Sequence, residues 1–595
     1  MSAVESLVSK HKDQLLSSGV PQQFWESLFD KLISQTFDAG NSLQLVQFDY
    51  NTERQPYESL WGLQALQDIC KDHPHNIFII DHAWTYTISQ AKSQLKQFPK
   101  LRHRLCAMLG IDMNLPMDQS AEAIYENMWK INNSYSVRST DGADHMPVWY
   151  IMDEIGCAIQ HSDLPNCRIA PFVYLPEGIT FSLLFPCKNI KKGELIYRDY
   201  SEGITDEIAR KAALLPWIYT SFENINAKPD IPNALYYLSG HVQEYLPDLD
   251  RSNINLTKKD KYMVFSEYSL IKTFLTDTKF EVTEDETEAD ILWYIKHFRD
   301  FKSLSEKPQF INQFPYEYII TVKDLLCMTC RKYKNNIETA PWFPITYNLC
   351  SEIGNFVRYF EEREKEGLDN YWIVKPYNLA RGMDINITNN LNQIMRLPST
   401  GPKIAQKYII NPVLFYRDDC EGQVKFDLRY VVLLKRVKPL QVYVYKNLFL
   451  RFANKPYGLN DLDDYEKHFT VMNYRENAEL KHMTCEKFKL EWEKQYKNHP
   501  WTTIEKKILK MIRELMECAT ASPPPCGIAE NPQSRALYAA DLILDWVGTE
   551  MQPKILEMNF MPDCERACNY YPDFYNNIFT LLFTDEDCND IFFHL

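Results

Sequence analysis

Ala539-Ala540-Asp541-Leu542-Ile543-Leu544-Asp545 and Lys554-Ile555-Leu556-Glu557-Met558-Asn559 read as two short apolar strands. Gly548 and Pro553 fall between them and predict a turn-like connection. Asp541 is on the first strand. Glu557 and Asn559 are two residues apart on the second, so they share a face. Two carboxylates and an amide oxygen on adjacent strands form a hard oxygen cluster suited to Mg²⁺. Substrate phosphates would complete such a cluster, as ATP chemistry requires.

Working outward, Tyr371-Trp372-Ile373-Val374-Lys375-Pro376 is a strand ending in a lysine, and Arg381-Gly382-Met383-Asp384 is a glycine-bearing loop behind it. A lysine leaving a strand beside such a loop suits a phosphate. Ala405-Gln406-Lys407-Tyr408-Ile409-Ile410 is expected to be a strand with a free edge, open to an adenine. In Lys425-Phe426-Asp427-Leu428-Arg429 the three charges alternate with two apolar residues. The charges therefore share one strand face and Phe426 and Leu428 point to a core.

These segments occur in the order W-I-V-K-P, Q-K-Y-I, K-F-D-L-R, a strand aspartate, then L-E-x-N. Ile311-Asn312-Gln313-Phe314-Pro315 with Lys323-Asp324, Pro344-Ile345-Thr346, and Arg451 through Tyr457 join the pattern. Together they resemble the tubulin–tyrosine ligase-like family over residues 256–585. The resemblance implies an ATP-grasp fold and the joining of amino acids to tubulin tails. It implies that Lys375, Arg381, Gly382 and Lys425 serve the ATP, with Gln406, Lys407, Tyr408 and Ile409 along the adenine. Asp427 would face nucleotide and amino acid, Arg429 and Arg451 would hold carboxylates, and Asp541, Glu557 and Asn559 would hold Mg²⁺. Two departures are visible. The family's R-G-x-G ends here in Asp384, and its H-L-T-N-Y-S is lengthened between Thr470 and Asn473. They point to weak or absent ligase turnover.

Upstream, Gln160-His161-Ser162-Asp163-Leu164-Pro165-Asn166 precedes Gly193-Glu194-Leu195-Ile196-Tyr197-Arg198-Asp199-Tyr200. This pair resembles the closing motifs of SET domains. The asparagine that contacts S-adenosylmethionine in active members is Gln160 here, and no G-x-G segment lies upstream. A SET-like module without methyl transfer is the preferred expectation; a SET-type methyltransferase, or a link to histone methylation with histone-linked partners, is the distant one.

The organisation expected is multidomain α+β. It comprises a helical segment at 1–40, a β-rich SET-like domain at 41–230, a linker at 231–255, and an ATP-grasp domain at 256–595. Pro247 through Asn255, rich in Asp and Asn, marks the boundary. Within 41–215, helices are expected near 86–110 and 118–132. A long helix is expected near 503–520, followed by the rigid Ser522-Pro523-Pro524-Pro525 loop.

The net charge is −15 over 595 residues, yet residues 371–460 carry a net charge of +9. A basic stretch in an acidic chain suits an anionic ligand, either nucleotide phosphates or an acidic polypeptide such as a tubulin tail. Direct nucleic-acid binding is disfavoured by the overall field. No signal segment or membrane span is expected. The 15 scattered cysteines, including the lone Cys327-x-x-Cys330, suggest reduced thiols. Residence in the cytoplasm on microtubules, and also in the nucleus, follows as an expectation.

Overall fold

The computed structural model describes residues 3–48, 61–135, 147–247, 259–336, 340–377, 384–472, 481–584 and 586–595. Most of the Pro247–Asn255 stretch lies outside them, as do Arg381, Gly382 and Asn473. The chain forms two compact units. One gathers residues 1–227, 349–369 and 388–403; the other gathers 228–348, 370–387 and 404–595. The division is therefore not a single cut at 231–255: two short segments from the middle of the chain belong to the first unit.

In the first unit, Phe24, Leu28 and Leu32 recur at helical spacing and are buried. The helices Ala3–Ser17 and Trp25–Ile33 lay this stripe on a sheet ordered Phe78–Ile80, Ile179–Pro186, Cys167–Tyr174. The helical region near 86–110 is two helices, Ile88–Gln97 and Pro99–Leu109. Pro99 starts the second because a missing N–H costs nothing in a first turn. Gly110 closes it at φ +68.

The SET-like motif residues are joined. Tyr197–Arg198 pairs in parallel with Gln160–His161. The Asn166 amide donates to Leu195 O at 2.8 Å and accepts from Tyr197 N at 2.8 Å. The Gln160 amide donates to Trp61 O at 2.9 Å.

The second unit is built on a six-stranded sheet. Its path runs Glu550–Phe560, Ala536–Val547, Phe426–Arg436, Gln441–Tyr445, Phe592–His594, and Phe449–Phe452 also pairs with Phe426–Arg436. The strand alternation sends Leu428, Tyr430, Val432 and Leu434 into one core beneath the helix Trp501–Ala521. Val431 and Leu433 enter the opposite core beneath Phe574–Phe583. Asp427 and Arg429 have the parity of Val431 and Leu433, so one sheet face runs from apolar to charged along a single strand.

Two sequence expectations need correction. Pro553 is not part of the turn, which closes at Gly548 with φ +62; Pro553 lies inside the strand Glu550–Phe560. That strand ends the sheet path, and an edge tolerates a residue without an N–H. The strand Lys403–Lys407 is not an edge either. It lies between Thr346–Asn348 and Trp372–Pro376 in a four-stranded sheet. Tyr408 and Ile409 follow its end, and Tyr408 N donates to Tyr371 O at 3.0 Å. Among the described residues no helix is long and apolar enough to cross a membrane.

Candidate functional site

The charged end of the large sheet gathers most of the expected residues through register. Arg429 stands opposite Asp541, and Asp427 opposite Arg451. Asp541 stands opposite Glu557, and there the register slips by one residue, pairing Leu542 with Ile555. Leu556 is thus the extra residue of a bulge. Met551 and Ile555 face the core under Trp501–Ala521, and beyond the bulge Met558 does. Were Leu556 an ordinary alternating residue of the strand, Glu557 would share the face of Ile555 and point into that core. The bulge re-aims Glu557 and Asn559 onto the face of Asp541.

The side chains form an ion-pair lattice. Arg429 donates twice to Asp541, at 2.7 Å and 2.7 Å. Arg451 donates twice to Asp427, at 2.7 Å and 2.7 Å, and its Nη2 also lies 2.8 Å from Asp541. Thr470 donates to Asp427 at 2.6 Å. Burial pushes the Asp541 carboxyl up, but the Arg429 and Arg451 guanidiniums outweigh it and hold the group well below the usual carboxylate range. Burial likewise opposes the charge on Arg451, and Asp427 and Asp541 together raise its pKa above its ordinary value. Arg429 and Arg451, expected to be open to an incoming carboxylate, are therefore engaged by this chain's own aspartates.

Asn559 donates to Asp541 at 3.1 Å and to Glu557 at 3.3 Å. Lys323, at the start of the helix Lys323–Cys330, places its ammonium 3.8 Å from Glu557. A cavity of about 360 Å³ opens here, with Lys323, Arg429, Arg451, Arg566, Glu557 and Asn559 in its wall. A smaller one, about 120 Å³, is lined by Ile373, Tyr408, Ile409, Ile543 and Leu556 and by Lys375 and Lys425. Phe469 and Val471 border both cavities.

Lys375 donates to Gln406 at 2.9 Å, and Gln406 donates to Thr346 at 3.0 Å. Burial draws the Lys375 pKa down to about 8, with Glu557 pulling the other way. Lys425 donates to the Tyr408 hydroxyl at 2.9 Å, and that hydroxyl also bonds His468 Nδ1 at 2.9 Å. Burial draws Lys425 down to about 7. Lys407 turns to Tyr371 O at 3.0 Å. Of the two departures, Asp384 is buried and has φ +51. The position keeps a left-handed backbone, which glycine adopts freely and aspartate better than most residues.

The donor set fits the group that the sequence implies. Asp541, Glu557 and Asn559 are hard oxygen donors within reach of one another, beside a cavity walled by cations and an apolar slot with two lysines. Asn559 now donates to the carboxylates, and an amide flip would present its oxygen. Sequence reasoning assigned no role to Lys323, Thr470, His468 or Arg566. Lys323 and the His468–Thr470 segment lay in quoted motifs, whereas Arg566 carried no signal.

The model of the Tubulin-tyrosine ligase family matches residues 301–592, and that of the Tubulin tyrosine ligase SET-like domain matches residues 62–221. Tubulin–tyrosine ligase-like protein 12 of Homo sapiens is 41% identical over 98% of this chain and 94% of its own length. Its Caenorhabditis elegans namesake is 35% identical over 98% of this chain and 97% of its own length. Tubulin polyglutamylase TTLL5 of Homo sapiens is 27% identical over 52% of this chain and 24% of its own length.

Proposed function

Since this chain belongs to the tubulin–tyrosine ligase family, we propose that it binds ATP with Mg²⁺ in its second unit. We further propose that it regulates modification of tubulin C-terminal tails, tyrosination, detyrosination and glutamylation included, with weak or no ligase turnover of its own. The observation that carries this reading is Asp541, shared between Arg429 and Arg451 while Arg451 also holds Asp427. Asp541 and Asp427, which would face the metal and the nucleotide, are already neutralised by guanidiniums, while Glu557 has only the Lys323 ammonium 3.8 Å away.

When bound, Mg²⁺ would offset charge on the transferring phosphoryl group. Glu557 and Asn559, with Asp541, would hold it. Lys375 would meet the phosphates, and Ile373, Tyr408 and Ile409 would flank the base. Lys323 and Arg566 leave the wall of the larger cavity cationic, as an acidic tail or a carboxylate substrate requires. The SET-like module is read as non-catalytic, because the Gln160 amide is spent on Trp61 O. The proposed setting is the cytoplasm, where microtubules are, with a nuclear fraction.

A second reading is an active tyrosine or glutamate ligase. The convergence of Lys375, Glu557, Asn559 and Asp541 at one site favours it. The deciding experiment combines calorimetry of Mg·ATP with incubation of the protein, tubulin, ATP and labelled tyrosine, glutamate or glycine. Binding without efficient incorporation is expected. Sustained incorporation overturns the regulator in favour of the ligase, and absence of ATP binding overturns both.

A further inference from the structure

The first unit pairs most of its arginines conventionally. Arg104 holds Glu154, Arg168 holds Glu202, and Arg210 holds Asp163 and Asp199. Arg358 holds Glu362 and Arg363 holds Asp369. Arg198 and Arg396 depart from this pattern. They come from segments far apart in sequence, the strand Tyr197–Arg198 and the helix Leu391–Arg396, and both belong to this unit.

Neighbouring residues hold the two guanidiniums. Arg396 donates to Asn132 O at 2.7 Å and to Asn132 Oδ1 at 3.4 Å. Arg198 reaches Asn133 Oδ1 at 3.4 Å from each terminal nitrogen. Each also lies on an aromatic face: Arg198 is 4.7 Å from the Tyr200 ring centroid and Arg396 is 4.9 Å from that of Trp217. The two rings are 4.4 Å apart, so the four groups form one layered cluster. Asp199, the acid beside Arg198 in sequence, is occupied by Arg210 and Ser201.

All the oxygens that meet these guanidiniums are neutral, and Arg198 Nε is buried with no acceptor. Two like charges this close need a counter-charge. Burial, then the neighbouring Arg198, draws the Arg396 pKa down to about 10, the direction expected where none is present. Both residues retain partial exposure to solvent.

We propose that Arg198 and Arg396, braced by Asn132, Asn133, Tyr200 and Trp217, form a binding site for one oxyanion, a phosphate or carboxylate group. Arginine forks match the planar edges of such groups, and charge-assisted bonds to them are the stronger kind. The site lies in the SET-like unit and is separate from the residues proposed for ATP. Its occupant is defined by an anionic head rather than by an adenine.

The test uses the full chain. Inorganic phosphate and glutamate are titrated against chloride at matched ionic strength, while hydrogen exchange is read at residues 130–135, 197–200 and 391–396. Saturable protection of these segments is expected in wild type and in Lys375→Ala, which separates this site from the proposed nucleotide site. Arg198→Gln should weaken it about tenfold or more, the loss of one charge-assisted bond. Protection by phosphate alone, by glutamate alone or by both identifies the head group. No protection by either anion overturns the proposal, as does equal affinity in Arg198→Gln. If Arg198→Gln does not fold, Arg198→Lys replaces it: weaker binding supports the fork, and unchanged binding overturns it.

Discussion

Replacing Asp541 by Asn tests the ion-pair lattice directly. Asp541 is 1% exposed and accepts from Arg429 at 2.7 Å twice, from Arg451 at 2.8 Å and from Asn559 at 3.1 Å. The amide keeps the shape, removes the charge and turns one acceptor into a donor facing guanidiniums. Arg451 retains Asp427, while Arg429 loses its two-pronged partner. Breaking a buried pair costs about 3–5 kcal/mol. The Arg429 side chain is 21% exposed and recovers some hydration, so about 3 kcal/mol is expected. The pH dependence has a definite sign. The folded Asp541 carboxyl titrates below its unfolded value, so its contribution is complete above the ordinary carboxylate range and is lost as pH falls through the folded value. The gap between wild type and Asp541→Asn should be constant from about pH 5 to 8 and shrink below about pH 4. Two compact units make one global transition an unsafe readout. Hydrogen exchange at Ala536–Val547, with and without urea, reads the affected strand. A gap under about 0.5 kcal/mol at pH 7 would show the lattice to be worth no more than a surface pair.

Four other outcomes are expected. Lys375→Met should abolish Mg·ATP binding in calorimetry yet stabilise the second unit by about 2–3 kcal/mol at pH 7. The sign follows from a buried lysine with a lowered pKa: the unfolded chain binds its proton more tightly, and the advantage of Met fades as pH rises through about 8 towards the unfolded value. Deleting Leu556 should remove the bulge yet leave Ile555 and Met558 in the core and Glu557 and Asn559 on the face of Asp541, so Mg·ATP binding should persist, weakened by the loss of the Leu556 side chain from the smaller cavity; abolished binding in calorimetry refutes the alternation argument. Co-sedimentation with tubulin should weaken steeply with salt and on tail cleavage, and Arg566→Gln should reduce it; indifference to tail removal moves the contact elsewhere. The SET-like module should transfer no methyl group to histones from labelled S-adenosylmethionine, and labelled product would contradict the reading of Gln160.

Period-two alternation made part of this legible. Lys425, Asp427 and Arg429 against Phe426 and Leu428 already defined a strand with one charged face, and the ordered motifs named the family. Three things were hidden because they depend on which segments become neighbours. The first is the bulge at Leu556: the apolar pair Ile555-Leu556 between Lys554 and Glu557 carries no local mark of a bulge, and only the partner strand shows that one residue is surplus. The second is the assignment of 349–369 and 388–403 to the first unit, which no local pattern encodes. The third is pairing among charges. A sequence shows that arginines and aspartates alternate, but the register decides that Arg429 meets Asp541 and Arg451 meets Asp427.

That last point bears on function more than the motifs do. On the proposed function the same four residues would serve two arrangements, the self-neutralised one in the structure and one open to Mg·ATP. In the first, two guanidiniums satisfy two carboxylates within the protein. In the second, the metal and the phosphates must replace those partners, cation for guanidinium and anion for carboxylate. The exchange would add net negative charge to the site, because Mg·ATP is anionic and the two arginines only balance the two aspartates, so nearby cations are needed to offset it. Lys375 and Lys425, drawn down to about 8 and about 7 by burial, would supply the remaining bias: near pH 8 each would regain its full proton when phosphate arrives. ATP binding to this chain should therefore take up protons near pH 8, and calorimetry in buffers of different ionisation enthalpy measures that uptake. No proton uptake would mean that the lysines do not meet the phosphates, and the nucleotide reading of the smaller cavity would fall with them.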